Sequence, residues 1–303
     1  MIQALSHMES RDYSMEQIHK MLGTSRQGYH QQAARNHKAL LQEIDIVSQV
    51  KDWRLAHPKM GSRQMYHSML GQGIELKVGI NKFEQLVSNY GLGVGVARKR
   101  GPLTSDGKGK GAYSNLTNGL VIRGINQLIV GDITYFDIKS TWHYVFTLKD
   151  VYSQYIVGLQ AAETMEARQL LSVLKACEEL RGSQSLKGCI HHSDNGSQYN
   201  SSIYVKELHR LKMRISRSDN CQQNGSAEQL NHIVKNMYLS QWSIGSLSEL
   251  KQACREMQYL NNHERAIKQL GNRTPVGYEM YINTLTDERL PEKRMYNFND
   301  YKV

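Results

Sequence analysis

Leu128-Ile129-Val130-Gly131-Asp132-Ile133-Thr134-Tyr135-Phe136 is the stretch on which the fold turns. Apolar, β-branched and aromatic residues fill it, which predicts a strand, and an aspartate stands in its middle. Burying an unpaired carboxylate there would cost several kcal/mol, so Asp132 needs a partner. Trp142-His143-Tyr144-Val145-Phe146-Thr147-Leu148 predicts a second strand, reached through the polar Asp137-Ile138-Lys139-Ser140-Thr141, and Ile156-Val157-Gly158-Leu159-Gln160 a third, after a turn at 150–154. Short turns between three strands imply an antiparallel meander. Met165, Leu170, Leu171, Leu174 and Cys177 then recur at helical spacing.

The next apolar run, Lys187-Gly188-Cys189-Ile190-His191, predicts a fourth strand that stops near Asp194, because Asn195-Gly196 turns the chain at once. A helix over Ile203–Leu211 and a short strand over Met213–Ser216 follow. Ala227, Leu230, Ile233, Val234 and Met237 repeat at helical spacing after the polar, Gly-containing segment 220–225, with Ser226 as a cap. Glu228 lies inside that helix. This order of elements is the one expected of an α/β, ribonuclease-H-like catalytic core with a mixed five-stranded sheet.

In front of that core, residues 13–34 have the rhythm of a helix-turn-helix. Ser14 caps a helix with apolar Met15, Ile18, Met21 and Leu22, Gly23 ends it, and Thr24 or Ser25 caps the next. A plain helical hairpin is the alternative. The second helix would offer Arg26 to a DNA groove. A connecting helix over Lys38–Ala56 stops at His57-Pro58. A second small helical module follows, in which Arg63, Lys77 and Lys82 are candidate phosphate contacts. Arg98-Lys99-Arg100 and the Gly/Lys-rich 105–111 predict a basic linker. The expected domains are therefore 1–37 (helix-turn-helix-like), 38–97 (connecting helix and second module), 98–121 (linker), 122–284 (catalytic core) and 285–303 (tail).

The bulk composition supports the same division of labour. The chain of 303 residues carries a net charge of +10, which favours a polyanionic partner. Residues 1–121 hold 16 Lys and Arg against 9 Asp and Glu, so the front is the more basic part. No apolar stretch approaches the roughly 20 residues of a membrane helix, and early charges break any signal-peptide pattern, so a cytoplasmic protein without a membrane partner is expected. Four widely spaced cysteines, Cys177, Cys189, Cys221 and Cys254, suit neither a zinc knuckle nor a disulfide framework. If Asp132, Asp194 and Glu228 converge, their oxygens suit Mg2+ or Mn2+, and two such ions would clamp both oxygens of a phosphodiester displacement.

Several ordered blocks carry a resemblance. They are Asn126–Tyr135, Asp150–Gly158, His192-Ser193-Asp194-Asn195-Gly196-Ser197-Gln198-Tyr199, Asn224–Glu228, and Asn262–Arg265 with Leu270–Pro275. Together with Met60–Arg63 and Tyr90–Leu92 they resemble the OrfB-type transposases of the insertion-sequence-three family, relatives of retroviral integrases in the DDE superfamily. Ile129, Asn195, Gln223-Asn224 and Ala266 depart from that family's usual residues. The resemblance implies metal-dependent cleavage and strand transfer at the ends of an insertion sequence. It makes Asp132, Asp194 and Glu228 both the catalytic residues and the ligands of two Mg2+ (or Mn2+) ions. It further implies terminal-repeat and target DNA as partners, at least a dimer on DNA at the nucleoid, and an upstream helix-turn-helix protein or fusion. Asn231 and Lys235 share the Glu228 helix face, and both are expected at DNA, whereas Asp150 is expected to support a turn. The alternatives are a ribonuclease-H-like metal-dependent nuclease that does not join strands, and a DNA-binding protein whose catalysis has lapsed.

Overall fold

A computed structural model describes residues 14–21, 23–95, 113–218 and 224–297, and the chain divides into two compact units. One comprises residues 1–52 and 77–92, the other residues 53–76 and 93–303. In the first unit, helix α1 (Met15–Met21) opens with a reciprocal cap. The Ser14 amide donates to Gln17 Oε1 at 2.7 Å while Gln17's amide donates to Ser14 Oγ at 3.3 Å. Gly23, at φ +63°, ends the turn, and Ser25 Oγ accepts from the Gly28 amide at the start of helix α2 (Arg26–Ala56). The second helix and the connecting helix expected from the sequence are thus one element of 31 residues. Nothing between Ala34 and Lys38 breaks the winding, and Gln32 donates to Asn36 Oδ1 at 2.8 Å across the expected gap. Helix α4 (Ile80–Asn89) buries Phe83, Leu86 and Val87, and its Lys82 pairs with Glu43 of α2 at 2.8 Å.

The second unit contains helix α3 (Ser62–Gly71) and the α/β core. Strand β1 (Val121–Ile122) precedes β2 (Leu128–Ile138), β3 (Thr141–Asp150) and β4 (Ile156–Ala162). Helix α5 (Ala167–Arg181), strand β5 (Ile190–Ser193), helix α6 (Ser202–Arg210) and strand β6 (Arg214–Arg217) follow. Helices α7 (Gly225–Asn231), α8 (Leu247–His263) and α9 (Pro275–Ile282) and strand β7 (Lys293–Arg294) complete it. The five-stranded sheet has the order β4-β3-β2-β5-β6. β2–β3 and β3–β4 are antiparallel, and β2–β5 and β5–β6 parallel. This is the mixed sheet of the ribonuclease-H-like fold. The hairpin between β2 and β3 narrows to Lys139-Ser140, both at positive φ, as a tight two-residue turn requires.

Alternation along β2 assigns its two faces. Ile129 and Ile133 pack with Leu170, Val173 and Leu174 of α5, while Phe136 and Ile138 pack with Leu230, Val234, Leu250 and Met257 on the other side. Helices therefore cover both faces of the sheet.

Two expected boundaries differ from what folds. Residues 53–76 belong with the core and not with a separate module over 38–97. His57 is fully buried, 2.8 Å from the Tyr238 hydroxyl and 3.0 Å from Glu264 Oε2, and Ser68 Oγ accepts from the Ala266 amide. The described part of the expected tail, residues 285–297, packs on the core, because Lys293–Arg294 pair antiparallel with Val121–Ile122 and Leu285, Leu290 and Met295 pack beside Ile122. That small sheet also ties down residue 121, the end of the expected linker. Arg98, Lys99 and Arg100 lie outside the described residues. Among the described residues, no helix is long and apolar enough to cross a membrane.

Candidate active site

The parallel register of β2 and β5 pairs Leu128 with Ile190, Ile129 with His191 and Val130 with His192. Continued two residues further, that register would bring Asp132 alongside Asp194, since paired strands lie about 5 Å apart. Pairing stops before that point, so β5 delivers Asp194 into the loop where Gly196's amide donates to its Oδ1 at 3.0 Å. Gly131 is required next to Asp132, since a Cβ there would stand 2.9 Å from Leu148 Cδ2 and 3.2 Å from the Tyr199 hydroxyl.

Helix α7 carries the third carboxylate, and polar contacts in both directions tie the helix to the sheet. Asn224 donates to the Gly131 carbonyl at 3.4 Å, buried Lys149 donates to the Ser226 carbonyl at 2.7 Å, and Asn231 donates to Asp132 Oδ2 at 2.7 Å. Ser226, expected as a cap, instead lies within the first helical turn and offers its carbonyl to Lys149. Burial, together with the nearby Lys293 and Arg265 charges, lowers the Lys149 ammonium to about 7. Asn231 is one helical turn beyond Glu228, so the face carrying Glu228 is the face turned toward Asp132.

The electrostatics match this convergence. Asp132 is half-buried and its carboxyl is pushed up to about 7, chiefly by burial. The Ile133 amide, donating to Oδ1 at 2.9 Å, opposes the rise, and the charges of Asp194 and Glu228 add to it. Glu228 is exposed, with partial desolvation raising its carboxyl. Among the described residues no three of His, Cys, Asp and Glu stand close enough to hold a metal ion as they are. The donor set is nevertheless oxygen-only, and carboxylates that raise one another's proton affinity are the arrangement a divalent cation relieves.

The remaining predicted residues separate. Asn231, expected at DNA, instead holds Asp132 and lies near Thr147, whose hydroxyl donates to Asn231 Oδ1 at 3.4 Å. Lys235 lies on a π-helical turn, His232–Tyr238, and donates to the Tyr135 carbonyl at 2.6 Å. Lys235, one turn beyond Asn231, therefore meets β2 three residues farther out, at Tyr135 rather than Asp132. Arg26 and Arg63 are exposed, and Lys82 is engaged by Glu43. Asp150 is fully buried, accepting from the Ser153 amide and hydroxyl and from the Asn126 amide. Lys149, Asn224 and Tyr199 were not predicted. The Tyr199 hydroxyl, buried beneath Gly131, has no hydrogen-bond partner among the described residues. Lys149 gives a sequence signal as a lone cation closing an apolar strand, while Asn224 and Tyr199 stand only as members of the blocks that carry the family resemblance.

Comparison with known proteins follows the same lines. The integrase core domain family matches residues 123–221. The chain is 28% identical over 266 residues to "Insertion element IS600 uncharacterized 31 kDa protein" of Shigella sonnei, covering 86% of this chain and 96% of that one. It is also 28% identical over 225 residues to "Transposase for insertion sequence element IS629" of Shigella sonnei, 74% of each chain. Among solved structures, the HTLV-2 integrase catalytic core domain in complex with magnesium is 16% identical with a TM-score of 0.42. That alignment covers 56% of this chain and 99% of that one.

Proposed function

We propose that this chain, a DNA transposase of the insertion-sequence-three family and so a polynucleotidyl transferase, cleaves and joins DNA at Asp132, Asp194 and Glu228. The observation that supports the assignment is the Asn231–Asp132 hydrogen bond of 2.7 Å, which ties the Glu228 helix to Asp132, on a strand whose parallel neighbour ends just before Asp194. These three carboxylates would hold two Mg2+ or Mn2+ ions. Bound there, divalent cations supply Lewis-acid stabilisation of the attacking and leaving oxygens.

The chain's own contribution is positioning and charge. Asn231 fixes Asp132 Oδ2 from one side and the Ile133 amide fixes Oδ1 from the other, so the carboxylate plane does not rotate. Gly196's amide orients Asp194 in the same way. Lys149 and Asn224 lock the first turn of α7 to the sheet, which limits how far Glu228 swings. Water is the nucleophile in cleavage and a DNA 3′-hydroxyl in joining. Each step breaks one phosphodiester bond, and no covalent link to the protein forms. Arg26, Arg63 and Lys82, the basic segment at 98–100 and Lys235 would contact backbone phosphates of terminal-repeat and target DNA. Paired ends imply at least a dimer on DNA, working in the cytoplasm at the nucleoid.

Labelled element ends incubated with target DNA and Mg2+ test the reading. Joined product from the unmodified protein and none from Asp194→Asn is expected. Cleavage without joining would assign a nuclease instead, and equal activity from both proteins would remove the site.

A further inference from the structure

The outer half of the β2–β3 ribbon carries an aromatic surface that the carboxylates do not use. Tyr135 of β2 packs edge-to-face against Trp142 and Tyr144 of β3, with ring centroids 6.2 and 5.3 Å apart. The cluster is not core: Tyr135 is 46% and Trp142 58% exposed. The Tyr135 hydroxyl reaches only Met165 Sδ, at 3.7 Å. Three exposed or half-exposed rings braced edge-to-face make an aromatic patch that leaves ring surface open to solvent, and such patches mark interaction sites.

Its position says what it would meet. Strand β5 accompanies β2 only as far as Val130, so from Asp132 outward the ribbon edge opposite β3 has no strand beside it among the described residues. Lys235, on the turn that follows the Glu228 helix, sits at this open edge with its ammonium on the Tyr135 carbonyl. Lys139 is exposed at the ribbon's tip, where Asp137 is the one nearby acid of the ribbon. Alternation puts Asp132 and Tyr135 on opposite faces, but both border the open edge, about 10 Å apart along the strand. Rings flanked by lysines, one short step from a phosphodiester-cleaving site, are what unpaired nucleic acid requires. Bases stack on the rings, and cations neutralise the backbone.

We propose that Tyr135, Trp142 and Tyr144 form a stacking platform for unpaired bases of the DNA strand whose end is processed at Asp132, Asp194 and Glu228. The inference rests on the transposase reading of that site.

The test needs no catalysis. Binding of a fluorescein-labelled oligodeoxyadenylate, an abasic strand of equal length and a blunt duplex is followed by anisotropy in EDTA. The unmodified protein should prefer the base-bearing strand over the abasic one by roughly tenfold or more. Trp142→Ala should lose that preference while keeping duplex binding, and Trp142→Phe should keep it, because a phenyl ring still stacks. Equal discrimination by Trp142→Ala and the unmodified protein would overturn the platform and leave the transposase reading intact. Unchanged DNA binding with altered sedimentation of Trp142→Ala would also overturn it, assigning the rings to contact between copies. Failure of the unmodified protein to bind any of the three probes would overturn the DNA reading together with the platform.

Discussion

Asp132 and Asp150 are carboxylates of one sheet, on adjacent strands, and they have opposite surroundings. Asp150 closes the end of β3 where three donors from Ser153 and Asn126 converge on its two oxygens. Burial raises its carboxyl, and the Ser153 and Asn126 amides pull it back down. Asp132 has one amide and one Asn231 side chain, and its other electrostatic neighbours are two further carboxylates. A buried acid saturated by N–H donors holds a turn in place. An acid left among like charges is set up for a cation from outside. On the proposed reading the two aspartates separate stability from chemistry within one sheet, and each substitution below tests that separation.

The largest effect is expected at the proposed catalytic cluster. Asp132→Asn or Asp194→Asn should lower strand transfer by about a thousandfold or more while the protein stays folded, as joined product and circular dichroism together would record. Asp150→Ala should do the reverse. It strands three donors in the interior and should cost about 3 kcal/mol in denaturant unfolding, with activity per folded molecule retained. If Asp150→Ala abolished activity in fully folded protein, the contrast would collapse.

An intermediate effect is expected at Asn231, which belongs to the Glu228 helix and acts through Asp132. Asn231→Ala should weaken activity by about tenfold and raise the Mg2+ concentration needed for half-maximal activity, the behaviour of a group that orients a ligand. Unchanged metal dependence would reduce the contact to helix packing.

The smallest effect concerns metal-free stability. The Asp132 carboxyl rises from its ordinary 3.8 to about 7 in the folded chain, so between those values the folded protein holds a proton that the unfolded chain has released. Its contribution is fully present below about pH 4 and is lost as pH rises toward 7. Asp132→Asn should therefore stabilise the protein in EDTA at pH 8 by about 1 kcal/mol, with the gain vanishing near pH 4, as thermal melts at the two pH values would resolve. Added Mg2+ should stabilise the unmodified protein and leave Asp132→Asn nearly unmoved.

Much of this was legible in the residues themselves. Apolar runs and their turn residues marked β2, β3, β4 and β5, and the strand context singled out Asp132 and Asp194. The turn role of Asp150 followed from its family block, and Asp150-Val151-Tyr152-Ser153 closes as expected. The Asn231 role was missed because a helical asparagine three residues past an acid reads equally as surface or site. What separates the two is a partner 99 residues away. The contact of Lys235 with the Tyr135 carbonyl, made from a π-helical turn, was likewise not legible, because spacing that assumes α-helical winding does not reveal such a turn.

The sequence by itself determined the order of elements, with Asp132 inside one strand and Asp194 just past the end of another. Alternation, helical spacing, caps and turn residues act over a few positions, so they are written locally. Tertiary structure alone decided that residues 53–76 join the core, that Lys293–Arg294 closes on Val121–Ile122, and that Asn231 grips Asp132. Each of those is a polar or backbone group finding its partner across 99 or more residues. Which partner is near depends on how the apolar faces pack, and local pattern does not carry that information.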